Sequence, residues 1–240
     1  MPSPLAYHRP GSLDEASTLL AGPNRRAVGG GTIVVPEARA AGGGVELVDL
    51  QNLALDRIED DDGRVRIGAM VRLGDLASHR RVPELLCELA RRELPSALRN
   101  QATVGGVVAL AGTESVLLAG LLVHDTRVSL HGHPDIALAD LVADGTGARL
   151  ITAVSVDPDG SGVVAATGRT PADVPIVAAV ARATADRRWL ALTGVAATPV
   201  LVDPGAPTAG LDPPGDFRGS PEYRLHLAQV LSTRVLAELS

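Results

Sequence analysis

Two short stretches carry residue types suited to holding a charged ligand through the main chain. Leu98-Arg99-Asn100-Gln101-Ala102-Thr103-Val104-Gly105-Gly106 ends in two glycines shortly after a threonine, and Gly29-Gly30-Gly31-Thr32 runs three glycines into another threonine. A residue without a Cβ lets the backbone turn tightly and come close to a ligand. Successive amide N–H groups that point outward form a concavity for an anion such as phosphate, and Arg99 adds positive charge beside the later loop. Together the loops suit the two phosphates of a dinucleotide, gripped from opposite sides. Either loop taken alone reads as an ordinary turn.

Other reactive chemistry is sparse. His131-Gly132-His133 lacks an accompanying acidic cluster and reads as a surface turn, and no H-E-x-x-H is present. The acidic run Glu59-Asp60-Asp61-Asp62-Gly63 lacks the ligand spacing of a calcium loop and reads as a solvated hairpin tip. No G-x-S-x-G elbow occurs, and Ser161, between Gly160 and Gly162, reads as part of a turn. No metal site and no side chain for general acid or base work is expected.

Composition narrows the field. The 240 residues carry a net charge of −6 and no basic face, which argues against a nucleic-acid partner. All 22 basic residues are arginine, so a Schiff-base or P-loop lysine is excluded. The single cysteine, Cys87, cannot form an intrachain disulfide, hold an iron–sulfur cluster or build a cysteine zinc site, and it reads as a small core residue. Met1-Pro2-Ser3-Pro4 opens no secretory signal, and no apolar run approaches the roughly 20 residues of a membrane span. A cytoplasmic protein without a membrane partner is expected.

The elements that must position the loops follow from periodicity and punctuation. Ser12-Leu13-Asp14-Glu15 has capping-box spacing, with Ser12 at the helix start and Glu15 reaching back to the Ser12 N–H; Gly22-Pro23-Asn24 ends that helix. Arg26-Ala27-Val28 predicts a strand entering the first loop. One or two helical turns over Ile33–Arg39, a break at Gly42-Gly43-Gly44 and a strand over Val45–Leu50 follow. Asp56 to Ala69 predicts a hairpin, Leu73 to Leu94 helix, Ser115 to His124 an apolar helix and Arg127 to His131 a strand. Strands are predicted at Leu150–Val156, Val163–Ala166 and Trp189–Val195, with an apolar helix at Pro175–Thr184. A Pro/Gly-rich exposed connection spans Asp203–Pro221. It leads to a helix over Pro221–Leu239 with Tyr223, Leu225, Leu227, Val230, Leu231, Val235 and Leu236 on or near its buried face.

With these flanks the chain resembles, over nearly its whole length, the FAD-binding medium subunit of the molybdenum hydroxylases, the family of carbon monoxide dehydrogenase and xanthine dehydrogenase. Tyr7-x-x-Pro10-x-Ser12-Leu13-Asp14-Glu15-Ala16 is similar to that family's opening, and Gly29-Gly30-Gly31-Thr32 to its first flavin loop. Arg99-Asn100-Gln101-Ala102-Thr103-Val104-Gly105-Gly106 resembles the second loop, the most specific signal. Gly194-Val195-Ala196-Ala197-Thr198-Pro199-Val200 and Ser220-Pro221-Glu222-Tyr223-Arg224-Leu225-His226-Leu227-Ala228 resemble the C-terminal domain.

The resemblance implies an α+β fold: a two-part FAD-binding domain, residues 1–52 and 53–160, followed by a small C-terminal α+β domain over 161–240. It implies FAD, held through Gly29, Gly30, Gly31, Thr32 and Ile33 on one side and Ala102, Thr103, Gly105 and Gly106 on the other. It also implies two partner chains, a large molybdopterin-binding subunit that oxidises the substrate and a small iron–sulfur subunit that carries electrons.

The chain departs from the family pattern at four positions. Ile33 stands where Asp or Ser is usual, and Val107, Leu110 and Val116 stand where two Asn and an Asp are usual. Each change replaces a hydrogen-bonding group with an aliphatic one, at about 1–3 kcal/mol per lost bond. These residues, with Leu150, are expected to line the cleft. The segment between Leu141 and Ile176, where Arg169 and Asp173 match a family Arg and Asp, is short and has no aromatic residue. Two readings follow: an FAD-binding electron-transfer subunit, or a flavin fold that has lost FAD and serves as a cofactor-independent enzyme, an apolar-ligand binder or an assembly scaffold.

Overall fold

The computed structural model describes residues 6–40, 44–168 and 173–239. Gly42, Gly43 and Arg169 lie outside that set. Three sheets organise the rest. The first is parallel, in the order β1-β3-β2, from β1 (Ala6–His8), β2 (Arg25–Val28) and β3 (Glu46–Asp49). Helices α1 (Leu13–Leu20) and α2 (Val34–Ala40) connect these strands. Ser12 caps α1 by accepting the Glu15 N–H at 3.2 Å, but Glu15 accepts from the Gly11 N–H at 2.8 Å rather than from Ser12. Fully buried Asp49 accepts from the Tyr7 hydroxyl at 2.5 Å and from Arg9 Nε at 3.1 Å, which ties β1 to β3.

The second sheet is antiparallel, in the order β4-β5-β8-β6-β7. Its strands are β4 (Ile58–Asp61), β5 (Arg64–Gly68), β6 (Arg127–Leu130), β7 (Ile136–Ala137) and β8 (Ile151–Val156). The expected hairpin is β4–β5, with Asp61 opposite Arg64 at its tip. The helix expected from Leu73 to Leu94 is two helices, α3 (Leu73–Leu76) and α4 (Glu84–Glu93). Helix α3 has already ended at Leu76, and Pro83 is the N-cap of α4, which keeps Val82 before it out of helical conformation and the two helices separate.

Three more helices, α5 (Ser96–Arg99), α6 (Val104–Leu110) and α8 (Leu138–Asp144), occupy stretches read as loop or left unassigned. Helix α7 (Val116–Val123) is buried along its full length, as a helix apolar on all sides must be. It packs in the main core with Leu86, Leu89 and Val154.

The third sheet, β12-β11-β10-β9, is antiparallel: β9 (Ser161–Ala166), β10 (Ala178–Ala183), β11 (Arg188–Thr193) and β12 (Val200–Val202). The helix expected at Pro175–Thr184 is the central strand β10. Its alanines favour helix by propensity, but both of its faces are covered, so the strand's alternation disappears into a continuous apolar run. Ala178 and Val180 join the main core, while Ala179 and Ala181 pack in a second core with residues of α9 (Pro221–Glu238). Ser161 opens β9 rather than lying in a turn. On α9 the buried residues are Arg224, Leu227, Ala228, Leu231, Ser232 and Val235; Tyr223 and Val230, expected near that face, are 46% and 49% exposed.

Candidate functional site

Segments of the first and second sheets, both glycine loops and the ends of α4 and α6 line one cleft of about 910 Å³. That is the size of a pocket for a large organic ligand. Gly29, Gly30, Gly31, Thr32, Ile33, Ala102, Thr103, Gly105, Gly106, Val107, Leu110 and Leu150 all lie on its walls. Val116 does not. It is 3% exposed and packs in the main core, because it opens the wholly buried α7.

The two loops interlock. A Cβ at Gly30 would run into the carbonyl of Gln101, and one at Gly29 would come within 2.5 Å of Thr103 Oγ1. The Gly105 N–H donates to the Ala69 carbonyl at 2.8 Å, and a Cβ there would stand 2.8 Å from Ala69 Cβ. Glycine at these positions therefore permits backbone to lie on backbone. Gly31 has φ +69°, a left-handed conformation that favours glycine.

Their amides differ. The second loop is not a loop of free N–H groups but the start of α6, with Thr103 as its N-cap. Ala102 N–H donates to Leu98 O, Val104 N–H to Val71 O, Gly105 N–H to Ala69 O and Gly106 N–H to Thr103 Oγ1. The expected outward row is thus absent there, spent on capping and on joining α6 to the strand end at Ala69–Val71. In the first loop, by contrast, none of the amides of Gly29, Gly30, Gly31, Thr32 and Ile33 donates to another described residue. They line the cleft with donor capacity in hand.

Charge around the cleft comes from residues that motif reading passed over. Arg99, expected to add positive charge, turns away and donates to the Arg91 carbonyl. Among the described residues, the arginines that line the cleft are Arg25, Arg26 and Arg149. Arg25 pairs with Glu46 at 2.6 Å, Arg26 with Glu37 at 3.1 Å, and Arg149 donates to Thr146 O at 3.0 Å. The Arg25-Arg26 pair just before the glycines was the available sequence signal.

Two glutamates also line the cleft. Glu114 is ion-paired with Arg218, whereas Glu93 accepts from the Ser115 hydroxyl at 2.6 Å and the Leu117 N–H at 2.8 Å. Burial pushes the Glu93 carboxyl above its ordinary value, opposed by those hydrogen bonds. No local pattern announces Glu93, because it reaches the cleft from the end of α4.

Ile33 and Leu110 are 43% and 54% exposed, on the rim with Leu98 and Val174, whereas Val107 and Leu150 are buried. None of the chain's four aromatic side chains lines the cleft. Among the described residues no cluster of His, Cys, Asp and Glu is placed to hold a metal ion, and no helix is long and apolar enough to cross a membrane.

Residues 3–156 match the family described as the FAD binding domain in molybdopterin dehydrogenase. The chain belongs to that family. The uncharacterized protein YgfM of Escherichia coli (strain K12) is 35% identical over 111 residues, 46% of this chain and 43% of YgfM. The aldehyde oxidoreductase FAD-binding subunit PaoB of the same organism is 50% identical over 64 residues, 25% of this chain and 20% of PaoB. The matched stretch spans less than half the length of either curated relative.

Among solved structures, quinoline 2-oxidoreductase from Pseudomonas putida 86 superposes with a TM-score of 0.86 at 22% identity, over 98% of this chain and 96% of that one. Carbon monoxide dehydrogenase from Hydrogenophaga pseudoflava gives 0.89 at 21%, over 100% and 98%. At such identities the likeness is one of fold. It takes in the third sheet and α9, beyond the stretch that the family model covers.

Proposed function

We propose that the chain is the FAD-binding electron-transfer subunit of a molybdenum hydroxylase-type complex. The observation that carries this reading is the row of unspent amides at Gly29–Ile33 on the wall of a 910 Å³ cleft, in a chain of the FAD-binding family. Unbonded main-chain donors are costly unless water or a ligand satisfies them, and successive donors around glycine suit an anion. A cleft given over to an apolar ligand would gain nothing from them.

The donor set fits the pyrophosphate of FAD. Gly29, Gly30, Gly31, Thr32 and Ile33 would hold it, with Arg149, which donates to the Thr146 and Gly145 carbonyls, adding positive charge, while Arg25 and Arg26 are offset by Glu46 and Glu37. Ala102, Thr103, Gly105 and Gly106 would act by bracing the first loop. Bound FAD supplies the acceptance and onward passage of electrons. The chain binds, orients and excludes water: buried Val107 and Leu150 give a dry wall, and no side chain is needed as acid or base.

The same reading implies a molybdopterin-binding large subunit and an iron–sulfur small subunit, since one cysteine cannot hold a cluster here. It favours the cytoplasm, in keeping with a free, buried Cys87. Titrating the purified chain with FAD while recording the visible spectrum tests the reading. Saturable binding near one flavin per chain is expected; a folded chain that leaves the FAD spectrum and fluorescence unchanged would overturn it.

A further inference from the structure

We infer that Glu93, braced by Ser115, is the hydroxyl-reading group of the cleft and accepts hydrogen bonds from the polyol chain of the bound dinucleotide. This rests on the FAD reading above and adds a residue and a role to it. Glu93 lies at the C-terminal end of α4, and both it and Ser115 line the cleft. Its Oε1 accepts from the Ser115 hydroxyl at 2.6 Å and its Oε2 from the Leu117 N–H at 2.8 Å, which fixes the carboxyl group at the first turn of α7. The Val116 N–H also acts on the carboxyl group; two oxygens with two lone pairs each still leave one acceptor position after these three interactions.

The surroundings select the partner. Among the described residues no arginine or histidine is ion-paired with Glu93, whereas the neighbouring Glu114 is taken by Arg218. A carboxyl group without a cation partner accepts well from a neutral O–H. Thr113, two residues before Ser115 on the cleft lining, is committed to the Ala196 carbonyl at 2.6 Å. The side chains of Val107, Leu110 and Ile33 carry no polar atom. The cleft is therefore sorted by hydrogen-bonding type, with unspent N–H donors and Arg149 for the phosphates and a carboxyl acceptor for hydroxyl groups. Such sorting places a hydroxyl-bearing arm of a dinucleotide on the Glu93 side of its phosphates, and the polyol chain, with three hydroxyl groups against the two of the adenosine ribose, is the arm assigned to it.

Binding of FAD and of ADP, which has the phosphates but no polyol chain, is compared by calorimetry for the full chain and for Glu93→Gln. The variant is expected to bind FAD about tenfold more weakly while binding ADP within about twofold of the parent. Should Gln fail to support folding, judged by the melting curve, Glu93→Asp serves in the same comparison. Unchanged FAD affinity overturns the inference, and so does an equal loss for both ligands, which would mean that Glu93 reads the adenosine ribose or acts only through the fold. A parent chain that binds ADP but not FAD, or neither, fails the FAD reading itself and is distinguishable from both of those results.

Discussion

Gly29-Gly30-Gly31-Thr32 and Thr103-Val104-Gly105-Gly106 are nearly interchangeable as motifs, yet one keeps its amides unspent and the other consumes those of Val104, Gly105 and Gly106. In the second, Thr103 caps α6 and Gly105 lies against Ala69, so the glycines serve the contact between α6 and the second sheet. In the first, Gly30 admits the Gln101 carbonyl while its own N–H and those of its neighbours make no bond to described residues. A glycine run signals close approach of something to the backbone. Whether that something is a ligand or another segment of chain depends on where the N–H groups point.

The largest expected effect sharpens this contrast at its point of contact. Gly30→Ala places a methyl group inside the Gln101 carbonyl and should cost about 4 kcal/mol or more, enough to remove most of a domain's net stability, read by chemical denaturation.

Next comes pH, which acts away from both loops. Buried His124 donates from Nδ1 to the Asp157 carbonyl, and burial lowers its pKa from 6.5 to about 4. Unfolded His124 takes up a proton near pH 6.5 and the folded residue does not. Stability is therefore full above that pH and falls by about 3 kcal/mol as the pH drops through about 4. His124→Asn should flatten that slope in denaturation curves recorded across the range. Loop comparisons belong above pH 6.5.

Gly105→Ala meets only Ala69, so a stability loss of about 1–3 kcal/mol is expected. FAD affinity should change little once the variant is folded, because no amide is withdrawn from the ligand. The smallest effect is that of Thr103→Ala, which removes the α6 cap and should lower stability by about 1 kcal/mol. A large, specific loss of FAD affinity in either variant would break the contrast between the loops.

Much of the fold was legible because it is written locally. The Ser12 cap, the β4–β5 hairpin and the wholly apolar α7 follow from short patterns. The family followed from two loops in order. Strand β10 was misread because covering by α7 and α9 is a tertiary fact, which alanine-rich sequence cannot display. The site was legible as a place and less so as chemistry. Val116 turned inward with its helix, Arg99 turned away, and Glu93 and Arg149 came from segments with no motif. A glycine's type is visible in sequence; the destination of its N–H is not.

Residue-resolved amide hydrogen exchange, with and without FAD, tests the central claim most directly. The amides of Gly29–Ile33 should exchange quickly in the free chain and become protected when FAD binds, while those of Val104, Gly105 and Gly106 stay slow in both states. Fast exchange at Val104–Gly106 that slows on binding FAD, with Gly29–Ile33 unaffected, would contradict it.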